Sequence, residues 1–338
     1  MHCLNTNFTL SFNEAPQVRN DAGKENLDVK CFHSLEDMLE NTMVDLVVIS
    51  TPTESHYSLT KSALYAQKHV LCEKPFTHTA KEADELIALA REQQRVLAVF
   101  HNRRWDSDFV TLSQLVNSGT LGQVIDFDTR FELFQPKSII DKPMTVTKAT
   151  LQIKAIYDLG THLLDQAVQI FGLPERITGL LDDQIEETDS SESSNIFTVL
   201  MHYNSGILVT AKAVRISSDK PPHRFLVRED KRSFKKFYMD IQKDHLIAGK
   251  SPVDEGFGEE SGERYGVLTA KQSDGSVVEK VIIPVQHPTW AEYYRKLACT
   301  LSGQGTVPVS GSEARDIIRI IELAVLSSKL GESIEFSP

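Results

Sequence analysis

The sequence predicts two domains of different kinds: an α/β domain on a parallel sheet, then an α+β domain on a largely antiparallel one. Two observations predict them. As far as about residue 122, short apolar runs alternate with segments of helical spacing, the rhythm of right-handed βαβ units. Beyond that point, short strands follow one another with turn residues between them. Length agrees, because one hydrophobic core seldom serves more than about 250 to 300 residues and this chain has 338. The domains are placed at 1–122 and 123–338.

The elements follow in order. VDLVVIS (residues 44–50) is a continuous apolar run rich in β-branched residues, the pattern of a parallel strand covered on both faces. Helical spacing runs from about Tyr57 to Gln67, and a second apolar run, HVLCEKP, comes next. Thr79-Ala-Lys-Glu82 is a capping box that opens a helix with Ala83, Leu86, Ile87 and Ala90 on one face. Residues 96–101 form a third strand, and residues 8–12, upstream, also have strand character. In the second domain, residues 124–132, 197–203, 207–214 and 225–227 read as strands, with Asn204-Ser-Gly206 as a hairpin turn. The acidic run DDQIEETDSSESS (182–194) reads as a solvated loop. Two helices finish the chain: one near 290–301, and one opened by a Ser310-Gly-Ser-Glu313 capping box and running to about Lys329. The last is expected to pack back on the first domain.

Bulk composition narrows the function. A formal charge of −11 argues against nucleic acid as a partner, since affinity for phosphates comes from clustered Lys and Arg. No run approaches the ~18 apolar residues of a membrane span, and no signal peptide opens the chain. The four cysteines are scattered without a CxxC pair, so neither a disulfide framework nor a metal site is signalled. These features fit a cytoplasmic protein with a small-molecule substrate.

Three short stretches carry chemistry: Thr51-Pro-Thr-Glu-Ser-His56 after one strand, Glu73-Lys-Pro75 after the next, and Asp158-Leu-Gly-Thr-His162 at the mouth of an apolar helix. Lys74 follows a buried strand, so its ammonium is expected at the carboxyl end of a parallel sheet, where ligands bind. Asp158 and His162 are four residues apart and share a helix face. Each has a plainer reading. Asp158 is alternatively an N-terminal cap and His162 a core histidine; Thr51-Pro52 a strand-ending turn; His56 a helix-start residue; Arg103 and Arg104 members of an ion-pair cluster with Asp106 and Asp108.

The order and spacing of these stretches resemble the Gfo/Idh/MocA oxidoreductases, over roughly residues 29–132 and 155–336. AVFHNRRWDSDF (98–109) and YDLGTHLLDQ (157–166) look like the branch that includes NADP-dependent scyllo-inositol dehydrogenases. The resemblance implies a Rossmann-like NAD(P)-binding domain followed by an open-faced β-sheet domain with helices on one face. It implies hydride transfer between NAD or NADP and a polyol, sugar or related hydroxy or keto metabolite, and association into a homodimer or homotetramer. It assigns proton transfer to Lys74 and His162, with Asp158 orienting or relaying. Cofactor contacts fall to Thr51, Pro52, His56, Glu73, Lys74 and Asn102, and substrate contacts to Arg103, Arg104, Tyr157, Asp158 and His162.

The sequence departs from this pattern twice. It contains no GxGxxG, so the first strand and its phosphate-binding turn are expected to be missing and the first domain to be a truncated Rossmann-like unit. Residues 134–153 (FQPKSIIDKPMTVTKATLQI) replace the glycine-rich stretch that usually precedes YDLG in that branch, which leaves the substrate open. An inactive metabolite sensor on the same scaffold is the alternative.

Overall fold

The computed structural model describes residues 32, 34–40, 43–133, 155–182, 196–215, 217–285 and 289–337. The expected Phe8–Phe12 strand, the 134–153 segment and all but the first residue of the acidic run lie outside them. Two compact units emerge: Met1–His101 with Tyr293–Ile318, and Asn102–Glu292 with Arg319–Pro338.

In the first unit, a short helix α1 (Leu35–Leu39) precedes β1 (Leu46–Ile49), α2 (Thr53–Tyr65), β2 (His69–Cys72), α3 (Ala80–Glu92) and β3 (Leu97–Val99). The three strands pair in parallel, in the order β1-β2-β3. Val70, Leu71 and Cys72 of the middle strand are fully buried, as a strand covered on both faces requires. Among the described residues β1 is at the edge of this sheet, and its Val48 is 46 % exposed, where coverage of both faces was expected. The capping box at Thr79 forms as read, with Glu82 N donating to Thr79 Oγ1 and Glu82 Oε2 accepting from Thr79 N, both at 3.1 Å.

The second unit opens with a 3₁₀ turn (Asn102–Trp105) and α4 (Ser107–Asn117). After β4 (Asp126–Glu132) come a π-helical turn (Ile156–Gly160), α5 (Thr161–Phe171), β5 (Arg176–Asp182), β6 (Ile196–His202), β7 (Leu208–Val214), β8 (His223–Arg228) and β9 (Arg232–Phe237). α6 (Gln242–Ile247), β10 (Gly266–Lys271) and β11 (Val277–Ile282) follow, then α7 (Ala291–Leu301), α8 (Gly311–Leu330) and β12 (Ile334–Glu335). Nine strands form one sheet, β11-β10-β9-β8-β4-β7-β6-β5-β12, antiparallel except where β4 meets β7. Phe127, Phe131, Val199, Met201, Val209, Ala211, Phe225 and Val227 point to its buried face, while Leu180 and Leu208, on the alternate face, are exposed. On the buried side the sheet meets α8 so closely that a Cβ on Gly179 would lie 2.0 Å from the carbonyl oxygen of Ala324.

The architecture is the expected one: a parallel Rossmann-like sheet, then a mostly antiparallel sheet with helices. β9, β10 and β11 were not read from the sequence because their exposed and charged residues hide the period-2 alternation, most completely in β11. β5 was missed because a glycine interrupts its apolar run.

A buried ion pair ties β9 to the loop before β10. Lys236 is 2 % exposed, and its Nζ lies 3.0 Å from Glu260 Oε2 while donating to the carbonyls of Phe237 and Arg264 at 3.0 and 2.7 Å. Burial pushes the Glu260 carboxyl up to about 7, against the pull of Lys236. The folded state therefore holds a proton that the unfolded chain releases near pH 4.3, so stability from this group falls as pH rises from about 4.3 to about 7. In thermal melts between about pH 5 and 8, Glu260→Gln is expected to flatten the decline seen in wild type. Parallel profiles for the two proteins would count against this.

Candidate active site

Because the three strands of the first unit are parallel, their carboxyl ends share one edge, which carries Thr51-Pro52, Glu73-Lys74 and Phe100-His101. Glu73 and Lys74 are half-buried there. The Lys74 backbone N–H donates to Glu73 Oε2 at 3.1 Å. Burial raises the Glu73 pKa, opposed by Lys74 and His101. Thr51 Oγ1 and Ser55 Oγ are 2.6 Å apart, closing the turn into α2.

His56 has a different place from the one its motif implied. The ring is 1 % exposed, with Nδ1 2.8 Å from the carbonyl of Pro75 and Nε2 2.9 Å from that of Thr51. Both partners are acceptors, so a neutral ring donates to only one of them. Burial lowers the His56 pKa and these carbonyls oppose the shift. Its ring nitrogens thus staple the turn after β1 to the turn that carries Lys74.

In the second unit, Asn102 is half-buried at the start of the 3₁₀ turn. The two arginines beside it are engaged. Arg103 Nη1 donates to Asp106 Oδ2 at 2.9 Å, and its guanidinium lies over the Trp290 ring. Arg104 grips Asp165 of α5 with two parallel bonds of 2.9 and 2.7 Å, the side chains being 8 % and 2 % exposed. The neighbouring Gln166 donates to the Arg103 carbonyl at 2.7 Å and accepts from the fully buried Arg224 at 2.6 Å. Arg224 also donates to Asp108 at 2.9 Å. Sequence reasoning missed Asp165, Gln166 and Arg224. The signal was present for the first two, which are polar residues in the middle of an apolar helix.

These bonds fix the helix that carries the remaining candidates. Its entry is a π-turn in which Thr161 N donates to the carbonyl of Ile156, five residues back, while Thr161 Oγ1 donates to the Tyr157 carbonyl at 2.5 Å. Such turns recur at functional sites. Gly160 is required there, since a Cβ would lie 2.9 Å from Ile156 Cγ1 and 3.2 Å from the Phe197 ring. Asp158 sits inside the turn and caps no helix, contrary to its plainer reading. Its side chain is half exposed and accepts from Arg215 Nη2 at 2.8 Å. Tyr157 is half-buried and His162 is 6 % exposed. Arg215, at the end of β7, is a further residue that sequence reasoning missed, since 57 positions separate it from Asp158.

The two-part fold is that of an oxidoreductase family. Residues 10–101 match the oxidoreductase family with the NAD-binding Rossmann fold, and residues 109–235 match the GFO/IDH/MocA C-terminal domain. The chain is 32 % identical over 305 residues to scyllo-inositol 2-dehydrogenase (NADP(+)) IolW of Bacillus subtilis, covering 89 % of this chain and 82 % of the relative. It is 36 % identical over 287 residues to the uncharacterized oxidoreductase YdgJ of Escherichia coli, covering 85 % and 79 %. The crystal structure of an oxidoreductase from Bacillus cereus superposes with a TM-score of 0.83 at 28 % identity, covering 97 % and 90 %. The chain therefore belongs to the Gfo/Idh/MocA oxidoreductase family, and its cofactor is NAD or NADP.

The shared strand edge leaves the polar side chains of Thr51, Glu73 and Lys74 partly exposed, a donor and acceptor set compatible with part of that cofactor. A pyrophosphate cradle is not among the described residues.

The Arg104–Asp165 pair yields a stability prediction. Removing one partner of a buried ion pair strands the other charge and costs about 3–5 kcal/mol. Asp165→Ala is expected to lose stability of that order in urea unfolding. A loss near 1 kcal/mol or less, the level of an exposed pair, would mean the guanidinium finds water.

Proposed function

We propose that the chain is a cytoplasmic NAD(P)-dependent dehydrogenase acting on a CH–OH group of a polyol, sugar or related metabolite. The observation that carries this reading is a half-exposed carboxylate, Asp158, in a π-turn that leads directly to a nearly buried imidazole, His162. The kinship with a relative named for scyllo-inositol oxidation supports the substrate class.

Oxidation of a secondary alcohol removes a hydride from carbon and a proton from oxygen. A bound nicotinamide would supply the hydride acceptor. Proton transfer at the hydroxyl is assigned to Lys74 and His162, and an orienting or relaying role to Asp158. Glu73 places Lys74 through the contact with its backbone N–H. Thr51, Pro52 and Asn102 are assigned to the cofactor and Tyr157 to the substrate. His56, Arg103 and Arg104 are assigned to supporting the site, since both His56 ring nitrogens, Arg103 Nη1 and Arg104 Nε and Nη2 face acceptors within the protein.

A second copy of the chain is proposed to cover the outer face of the nine-stranded sheet, where Leu180 and Leu208 are 60 % and 39 % exposed. Light scattering is expected to give a dimer or tetramer.

The activity test uses NAD⁺ or NADP⁺ with scyllo-inositol, myo-inositol and methyl glucoside, followed by reduced-nicotinamide absorbance. Turnover is expected in wild type, with kcat reduced about 100-fold or more in Lys74→Ala and in His162→Ala, the scale of a lost general acid–base group. Absence of nucleotide binding in calorimetry would remove this reading and favour a metabolite sensor.

A further inference from the structure

Arg215 approaches Asp158 from the protein side. Its side chain is only 11 % exposed, whereas that of Asp158 is 49 % exposed, so the guanidinium is part of the wall and the carboxylate is presented outward. The wall is rigid at this point. Val214, immediately before Arg215, pairs with Glu132 of β4 on one side and Ile196 of β6 on the other, and its carbonyl accepts from Leu133 N at 2.8 Å. The carboxylate is thus held twice, its backbone by the π-turn and its side chain by an arginine anchored at the end of β7.

The pair is also asymmetric in its energetics. Arg215 Nε is buried and has no acceptor among the described residues. A cation so placed is costly without a compensating anion, and Asp158 supplies one at 2.8 Å. Swinging the carboxylate away would strand the guanidinium, so one orientation is favoured. An exposed pair would impose no such restriction.

We propose that Arg215 is a positioning residue: it locks the Asp158 carboxylate in the orientation that the proton-transfer step requires. This rests on the dehydrogenase reading above. Arg215 acts through Asp158, so its loss lowers kcat while leaving substrate KM nearly unchanged. Misplacing a reacting group by about 1 Å costs about 100-fold, which sets the expected scale.

The test is a double-mutant cycle on the intact chain, with the best substrate of the polyol panel. Arg215→Met is expected to lower kcat by about 10- to 100-fold with KM changed by less than about 3-fold. In an Asp158→Asn background, Arg215→Met is expected to cost less than about 3-fold more, because the interaction it serves is already gone. Arg215→Lys, which keeps a charge for a contact made by a single N–H, is expected to stay within about 10-fold of wild type. If the Met variant does not fold, Arg215→Gln takes its place in the cycle with the same expected outcomes. Unchanged kcat in Arg215→Met, an equal loss in the Asp158→Asn background, or a loss in Arg215→Lys beyond that range overturns the proposal. Should wild type turn over none of the panel, the dehydrogenase reading fails for those substrates, and crystal structures of wild type and Arg215→Met decide for Arg215. Several Asp158 rotamers in the variant and one in wild type support the assignment; a single unchanged rotamer in both overturns it.

Discussion

Buried arginine–acceptor bonds around α5 are the constraint on which the second unit depends. A helix packed only through leucines can slide or rotate by fractions of an ångström at little cost, because dispersion contacts are weak and non-directional. α5 cannot, because Arg104 holds Asp165 by two bonds and Arg224 holds Gln166. Adjacent residues are therefore pinned by different elements, Arg104 from the 3₁₀ turn and Arg224 from β8. His162 is one helical turn before both of these contacts, so its position follows from bonds whose geometry tolerates little error.

The cost of this arrangement is carried inside the core. Arg224 and Asp108 are both fully buried, and such pairs contribute less to stability than a hydrophobic replacement of the same shape often does. The network around them includes Thr129, which accepts from Arg224 at 2.9 Å, and Asp240, which accepts from Ser107 N at 2.8 Å. With Arg224 paired to Asp108 and Asp240 hydrogen-bonded by Ser107 and Gln242, the core exchanges some stability for directional bonds. That exchange makes sense where a side chain must be held to within a few tenths of an ångström, as general acid–base chemistry demands.

Much of this was legible in the sequence, for reasons that are local. Both capping boxes formed where Thr79 and Ser310 predict them, because reciprocal bonds between positions three apart depend on nothing distant. The strands from Leu46 to Val99 were legible as apolar runs, which burial on two faces explains for β2 and β3 but not for β1, whose Val48 is 46 % exposed. The π-turn was not, since Tyr157-Asp-Leu-Gly160 fits α-helical spacing as well. The parallel pairing of β4 with β7 was also hidden, because strand composition does not encode the neighbour's direction.

Site residues divide along the same line. Asp158 and His162 were visible because a short motif places two chemically active groups one turn apart. Arg103 and Arg104 were visible too, but the motif gives residue type and not destination: one guanidinium turns to Asp106, three positions on, and the other to Asp165, 61 positions away. Arg215 shows the converse, an arginine outside any motif whose destination gives it meaning. An arginine near a carboxylate in sequence is thus weak evidence of function. The informative quantity is how much of each partner faces solvent. Arg104 and Asp165 are both nearly buried, which marks a strut, whereas Arg215 is 11 % and Asp158 49 % exposed, the asymmetry on which the proposed role of Arg215 rests.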